Sequence, residues 1–121
     1  MRYMILLKGV LPPNCPPQVF EGIMKLGQEA SSSGAMVDNA GLAPASAGAR
    51  VSLRTGNVTV GDIPSDRLAE VMSYAIYEVA SKDEAVEWAR RFLQLHAEHL
   101  PDWEADAEVL KALGPEDIGA A

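Results

Sequence analysis

Basic residues and cysteine are scarce in this 121-residue chain, and their scarcity excludes several classes of protein. Ten Lys and Arg residues face seventeen Asp and Glu residues, which gives a net charge of -7. Because nucleic-acid binding needs clustered Lys and Arg to neutralise phosphates, we expect no direct nucleic-acid partner and no anionic membrane partner. The lone Cys15 excludes an intrachain disulfide and suits a reducing compartment, so the expected location is cytoplasmic.

Long apolar runs and phosphate-binding loops are also missing. No segment approaches the ~20 consecutive apolar residues that a membrane-spanning helix requires. Neither the Gly-rich dinucleotide fingerprint nor the Walker pattern occurs, so we expect no nucleotide or flavin cofactor. A hydrophobic content of 48% still suffices for a core, and the length fits a single domain over residues 1–121, with 102–121 as its C-terminal tail.

The first apolar segment, residues 3–7, is apolar on both faces of the strand that it predicts. Tyr3, Ile5 and Leu7 point one way, and Met4 and Leu6 point the other. An antiparallel sheet with one face in water would instead alternate between apolar and polar residues. Both faces of this strand therefore need a cover. The chain has amphipathic helices for only one of them, so a second copy of the chain is the expected second cover.

The remaining pattern alternates between strands and helices. It predicts, in order, a strand at 2–8, a helix capped by Asn14 and ended by Gly34, a strand at 35–42, a hairpin at 50–60 around Thr55-Gly56-Asn57, a strand at 71–79, and a helix that opens on the capping box Ser81–Glu84 and ends near His99. Residues 50–54 alternate like a half-buried strand. Residues 107–113 fit either a last strand or a short helix.

The order β-α-β-β-β-α-β is that of a ferredoxin-like α+β unit with a hairpin inserted before its third main strand. Such a unit has an antiparallel sheet with two helices on one face. The uncovered face would pair with a second copy, which gives a homodimer in the form of a dimeric α+β barrel. A dimer would also add buried surface to a domain of this size.

Several fragments, in this order along the chain, resemble the YCII-related family, in the branch named after its Asp-Gly-Pro-Phe (DGPF) motif. They are residues 2–9 (RYMILLKG), 41–44 (GLAP), 49–51 (ARV), 58–60 (VTV), 74–79 (YAIYEV), 81–91 (SKDEAVEWARR) and 96–99 (HAEH). The motif itself is degraded to residues 61–65: Asp62 and Pro64 remain, but Ile63 stands where the family has Gly and Ser65 where it has Phe.

The resemblance implies a dimeric α+β barrel with a cleft between sheet and helices in each subunit. The wider superfamily includes small-molecule isomerases, monooxygenases and a dehydrochlorinase-like member. Some members of the branch are labelled as proteins associated with transcription initiation or sigma factors. Asp38 lies near the position of an Asp in related YCII proteins, and the resemblance is the main reason to consider it a catalytic residue.

Four residues are the candidates for a site. Asp38, in a strand that faces a cleft, has the chemistry of a general base, and the alternative is a solvated carboxylate. Arg50 has the chemistry of a carboxylate clamp, and the alternative is a surface arginine paired with an acid. Tyr74 and Tyr77 lie on opposite faces of one strand, so one is expected to line the cleft and the other to pack in the dimer interface, and the alternative for Tyr74 is a core position. Asp62 is a substrate-binding candidate or the cap of its own loop.

His96 and His99 share one face of the second helix, at a spacing of i and i+3. They are either metal ligands or imidazoles that complement the helix dipole, and the second interpretation is preferred because no third ligand is evident. No metal is expected. Two functions remain: a protein that binds a small molecule in a cleft, with proton transfer by Asp38, or a non-enzymatic interaction module associated with transcription initiation. Whether the protein is an enzyme stays open at this point.

Overall fold

A computed structural model describes residues 1–10, 14–64 and 70–119 of the chain. Its elements are, in order, β1 (Arg2–Gly9), α1 (Pro17–Ser32), β2 (Met36–Gly41), a 3₁₀ turn (Ala45–Ala47), β3 (Arg50–Arg54), β4 (Asn57–Gly61), β5 (Val71–Glu78), α2 (Lys82–Ala97), β6 (Ala105–Ala112) and α3 (Pro115–Gly119). The protein is thus α+β, with an antiparallel sheet and three helices, and it is compatible with a ferredoxin-like fold. Four described strands lie between α1 and α2, one more than the predicted order β-α-β-β-β-α-β contains, because both strands of the hairpin count. Ser65, the last residue of the degraded motif, lies outside the described residues.

The main sheet has four antiparallel strands in the order β2-β5-β1-β6. In it, β1 is a central strand that pairs with β5 through Tyr3 opposite Tyr77 and with β6 through Ile5 opposite Val109. The segment 107–113, ambiguous in sequence, forms most of strand β6, and its burial alternates along most of the strand as a half-covered edge strand requires. Gly114-Pro115 ends β6 as the sequence indicates, and the short α3 follows.

The two faces of the sheet differ in how they are covered. Tyr3, Ile5 and Leu7 are buried, and Tyr3 and Ile5 form the core with Tyr77 and with small residues of α1 and α2. Met4 and Leu6, on the opposite face, are only half-buried. Both long helices therefore cover the same face, and no described element of this chain covers the other.

Local hydrogen bonds explain where the helices begin. The expected Asn14 cap is wrong: α1 begins at Pro17, and Pro16 occupies the cap position without a side-chain hydrogen bond. Proline suits the first helical position because its missing N–H would be unpaired there anyway. The Ser81 cap is confirmed, because Ser81 Oγ accepts from the Glu84 N–H at 3.2 Å. The Glu84 carboxylate also turns back, but it accepts from the N–H of Ala80, one residue before the cap, at 2.9 Å.

The hairpin of β3 and β4 is confirmed, with a two-residue turn at Thr55 and Gly56 (φ 51° and 81°). The positive φ values at both positions are those of a turn that matches the twist of a hairpin. The half-buried β3 expected from the alternation is wrong, because this hairpin forms a separate two-stranded sheet. One face of it carries four apolar side chains that are 64–73% exposed: Val51, Leu53, Val58 and Val60.

Replacing Thr55 should stabilise the hairpin, because a β-branched residue is strained at positive φ. We expect Thr55→Asn to slow amide hydrogen exchange in β3 and β4 by an amount equivalent to about 1 kcal/mol of local opening free energy. Thr59→Asn, within the ladder, is the matched control and should not slow exchange. Equal exchange rates in the wild type and Thr55→Asn would show that the turn is not strained.

Candidate functional site

The main candidate site is a cavity of about 310 Å³ between the sheet and the two long helices. Its walls are apolar and partly aromatic, and they include Leu7 of β1, Leu26 of α1, and Trp88 and Phe92 of α2. None of the described residues that line the cavity is a Lys, Arg, Asp or Glu. A charged ligand would therefore lose its hydration without gaining an ion partner, so the cavity suits an uncharged one.

The cavity exists because small residues occupy the helix positions that face it. A Cβ atom added at Gly27 of α1 would approach only the terminal methyl of Met36, at 3.9 Å. Ala89 of α2, which is buried, lines the same space without filling it. At Gly22, by contrast, an added Cβ would lie 3.3 Å from the side chain of Leu95, so there the two helices approach closely. The helices are thus in tight contact beside the cavity and separated at Gly27.

His96 is the buried polar residue of the cavity wall, and its side chain is 1% exposed. His96 lies in the last turn of α2, where an imidazole that complements the helix dipole is expected, but it is buried, whereas His99 is exposed. The ring Nδ1 lies 2.8 Å from the carbonyl oxygen of Phe92. Burial lowers the pKa of His96, and the hydrogen bond to the Phe92 carbonyl only partly opposes this effect.

Aromatic stacking and an ion pair hold the part of the cavity wall that Trp88 of α2 forms. Trp88 stacks on Tyr77 with ring centroids 5.7 Å apart, and the Arg91 guanidinium lies 4.8 Å from the centroid of the Trp88 ring. Arg91 also pairs with Glu29 and so links α2 to α1. Burial raises the pKa of Tyr77, and the nearby Arg91 opposes this effect. These contacts fix the position of Trp88 on the cavity wall.

The structure brings together two of the four residues predicted for a site. The Tyr74 hydroxyl donates to Asp38 Oδ2 at 3.0 Å, and this hydrogen bond raises the pKa of Tyr74. Asp38 is exposed. It pairs with Ile76, and both side chains belong to the sheet face that the helices do not cover. Asp38 is not among the described residues that line the cavity, whereas Tyr74 is one of them, so the pair lies at the border between the cavity and the uncovered face.

Arg50 and Asp62 are placed elsewhere. Arg50 begins β3, is exposed, and borders a surface depression together with Ile63 and Glu70. Asp62 is exposed just after β4. The four candidates thus do not converge on one pocket. Over residues 1–10, 14–64 and 70–119, no group of three His, Cys, Asp or Glu side chains could hold a metal ion.

The sequence analysis did not place His96 on the wall of a cavity, yet the sequence carried a signal for this position. Ala85, Ala89, Phe92 and His96 follow a spacing of four, three and four residues, which is the apolar stripe of a helix. That spacing places the imidazole on the inward face of α2. Trp103, which stacks on it with ring centroids 4.8 Å apart, lies beyond the helix, and no spacing rule brings the two together.

Comparison with known proteins gives no further guide to the site, since no protein-family model matches the chain and a search of curated proteins finds no match. Within the described part of the chain, no helix is long and apolar enough to cross a membrane.

The burial of His96 predicts a specific dependence of stability on pH. Its folded-state pKa lies below the ordinary value of 6.5, so the unfolded chain takes up the proton first as the pH falls. This contribution to the free energy of unfolding is complete above pH 6.5 and decreases below it, until the pH reaches the lower folded-state pKa. Urea unfolding at pH 7.5 and at pH 5.5 measures the loss.

Two variants isolate that effect. His96→Phe removes the titrating group and should reduce the loss of stability between the two pH values. His99→Gln, at the exposed histidine, should leave the loss unchanged. An identical loss in His96→Phe and in the wild type would show that His96 does not cause it.

Proposed function

We propose that this protein binds a small, uncharged and largely apolar molecule in the cavity between its sheet and its helices. The observation that carries the proposal is the cavity itself, which has apolar and aromatic walls and a single fully buried polar side chain. Ligand sites are concave, mostly apolar, and carry a few polar groups that orient the ligand. At about 310 Å³, the cavity lies at the small end of the range for such sites.

The proposal agrees with the resemblance to the DGPF branch of the YCII-related family, which implies a cleft at this place. Membership of that family and a cytoplasmic location are part of the same proposal. They are supported by the ordered fragments that begin with residues 2–9 and by the lone Cys15. The apolar cavity supports the proposed binding function independently of that resemblance.

Proton transfer by Asp38 stays a prediction, and the geometry assigns it to a different surface. Asp38 and Tyr74 form a hydrogen-bonded pair at the border between the cavity and the uncovered face of the sheet. Of the residues that the structure describes, Asp38 is not among those that line the cavity, and Arg50 borders a different depression. Binding in the cavity is therefore the function that the geometry supports better than catalysis by these residues.

A homodimer is the assembly that we propose for the uncovered face. Met4, Leu6, Ile76 and Leu110 occupy neighbouring positions on it, and Leu110 is 50% exposed. The apolar side of the hairpin adds four further exposed side chains. Exposed apolar patches mark interaction sites, and a two-fold axis lets one such surface cover its own copy.

Charge pairing on the uncovered face removes part of the repulsion between two chains of net charge -7. Glu108 pairs with Lys8 at 2.8 Å, and Glu78 pairs with Arg2 at 3.1 Å. The hydrogen bond from Arg2 lowers the pKa of Glu78 and keeps it ionised within the pair. Two of the acidic side chains on this face are thus already paired with basic side chains of the same chain, so they would not repel a second copy as free carboxylates would.

The exposed hairpin also favours a second candidate function, the interaction module that the sequence left open. Its apolar side would then bind a different protein instead of a second copy. The two candidates differ in the size of the isolated protein, because only self-association doubles its mass. Sedimentation therefore separates them.

Filling the cavity from Gly27 should abolish binding of an apolar probe. We expect naphthalene to bind the wild type in a ligand-observed NMR titration, and Gly27→Leu to weaken binding by roughly tenfold or more, because the leucine side chain occupies the space. Gly27→Ala is the matched control. It adds one methyl at ordinary contact distance, should keep binding, and should stabilise α1 by about 0.5–1 kcal/mol.

Two results would contradict the proposed site. One is a wild-type protein that does not bind the probe. The other is a Gly27→Leu variant that binds it as well as Gly27→Ala does.

Charges on the apolar side of the hairpin should dissociate the dimer. Val51 and Val60 lie opposite each other, so the double variant Val51→Lys/Val60→Glu keeps a compatible cross-strand pair while it removes apolar surface. Sedimentation equilibrium should give about twice 12.9 kDa for the wild type and a shift toward 12.9 kDa for the variant.

The control is Ser52→Lys/Thr59→Glu, which places the same charges on the polar side of the hairpin. It should remain dimeric. A wild type of 12.9 kDa at micromolar concentration would contradict the homodimer and would favour the interaction module.

A further inference from the structure

The imidazole of His96 is held in a single tautomer. A carbonyl oxygen only accepts hydrogen bonds, so the 2.8 Å contact with the Phe92 carbonyl places the proton on Nδ1. The second nitrogen, Nε2, then carries a lone pair and acts as an acceptor. Within the described residues, the hydrogen bond to Phe92 is the one that the ring makes. Because His96 lines the cavity, a molecule bound there is a candidate partner for this acceptor.

Two aromatic rings fix the orientation of the imidazole. The centroid of Phe92 lies 4.8 Å away in an edge arrangement, and the centroid of Trp103 lies 4.8 Å away in a stacked one. Trp103 is itself anchored, since its indole N–H donates to the carbonyl oxygen of Val10 at 2.7 Å. With its plane and its tautomer both set, the ring presents Nε2 in one direction, as a preorganised recognition group does.

The chemistry of the surrounding wall restricts what can bind to this acceptor. Burial keeps the imidazole neutral at neutral pH, and the lining holds no charged side chain among the described residues. A carboxylate or phosphate ligand would meet a lone pair and no cation. Trp88, Phe92 and Tyr77 supply flat aromatic surface. An engineered apolar cavity of about 150 Å³ binds one benzene ring, so this cavity has room for a molecule on the order of two fused rings.

We propose that His96 Nε2 accepts a hydrogen bond from the hydroxyl group of a flat, otherwise apolar ligand, so that the cavity selects phenol-type molecules over hydrocarbons of the same shape. This inference rests on the proposed binding function and adds the chemical class of the ligand. His96 acts here as a binding residue and transfers no proton.

The test compares 2-naphthol with naphthalene, which differ only in the hydroxyl group. The measured quantity is the ratio of the affinity for 2-naphthol to the affinity for naphthalene. We expect this ratio to be about three- to tenfold larger in the wild type than in His96→Asn, because one hydrogen bond in a buried site contributes an effect of that size. Asparagine can still donate to the Phe92 carbonyl but has no atom at the Nε2 position. His96→Gln, whose side chain reaches that position, should restore part of the preference. His99→Asn, at the exposed histidine, should retain all of it.

A spectroscopic measurement on the wild type decides the question without a variant. With ¹⁵N-labelled histidine, the Nε2 resonance of His96 should shift on addition of 2-naphthol and stay in place on addition of naphthalene. This readout also applies if His96→Asn does not fold, which loss of naphthalene binding would reveal.

The possible failures are distinguishable. If neither molecule binds the wild type, the proposed cavity function is overturned and this inference falls with it. If both bind, but the preference for 2-naphthol is the same in His96→Asn and the Nε2 resonance does not move, the cavity function stands and the role of His96 is overturned.

Discussion

A central strand that is apolar on both faces is the constraint on which the rest of this structure depends. Its two faces must leave water, but the helices α1 and α2 both cover the face of Tyr3, Ile5 and Leu7. This asymmetry produces two distinct surfaces. The helix side encloses the cavity, and the other side carries Met4 and Leu6 to the surface beside the Asp38–Tyr74 pair. The ligand and the second copy that we propose therefore use opposite sides of the same sheet.

The cavity reflects the choice of small residues on the helices. Large side chains at Gly27 and Ala89 would have closed the space between sheet and helices, as dense packing does in most protein interiors. The close contact at Gly22 shows that the same pair of helices can approach tightly where nothing has to be accommodated. The separation is thus a local property of the sequence.

Local signals in the sequence predicted most of the elements, and long-range contacts account for what it missed. The cap at Ser81 and the turn at Thr55-Gly56 each depend on residues that are neighbours in the chain, and both were predicted. The segment 107–113 stayed ambiguous because only its pairing with β1 makes it a strand. The exposure of β3 was missed because alternation shows which side is apolar and not whether anything covers it.

The candidate site was harder to predict than the fold, because it depends on contacts between residues that are far apart in the sequence. The Asp38–Tyr74 hydrogen bond joins residues that are 36 positions apart, and only the register between β2 and β5 brings them together. The burial of His96 could have been read from the stripe of Ala85 and Ala89. Its fixed orientation could not, because it depends on Trp103 and, through the indole, on Val10 near the start of the chain.

That anchoring of Trp103 has a consequence for the kinetics of the cavity. Trp103 lies two residues before the start of β6, an edge strand that pairs with β1 alone. If the edge strand frays, the indole leaves the imidazole and uncovers it, so access to His96 and detachment of the last strand become one event. The rate at which a bound molecule exchanges by this route would then be set by the rate at which β6 detaches from β1. Because that rate does not depend on affinity, even a weakly bound ligand would have a long residence time.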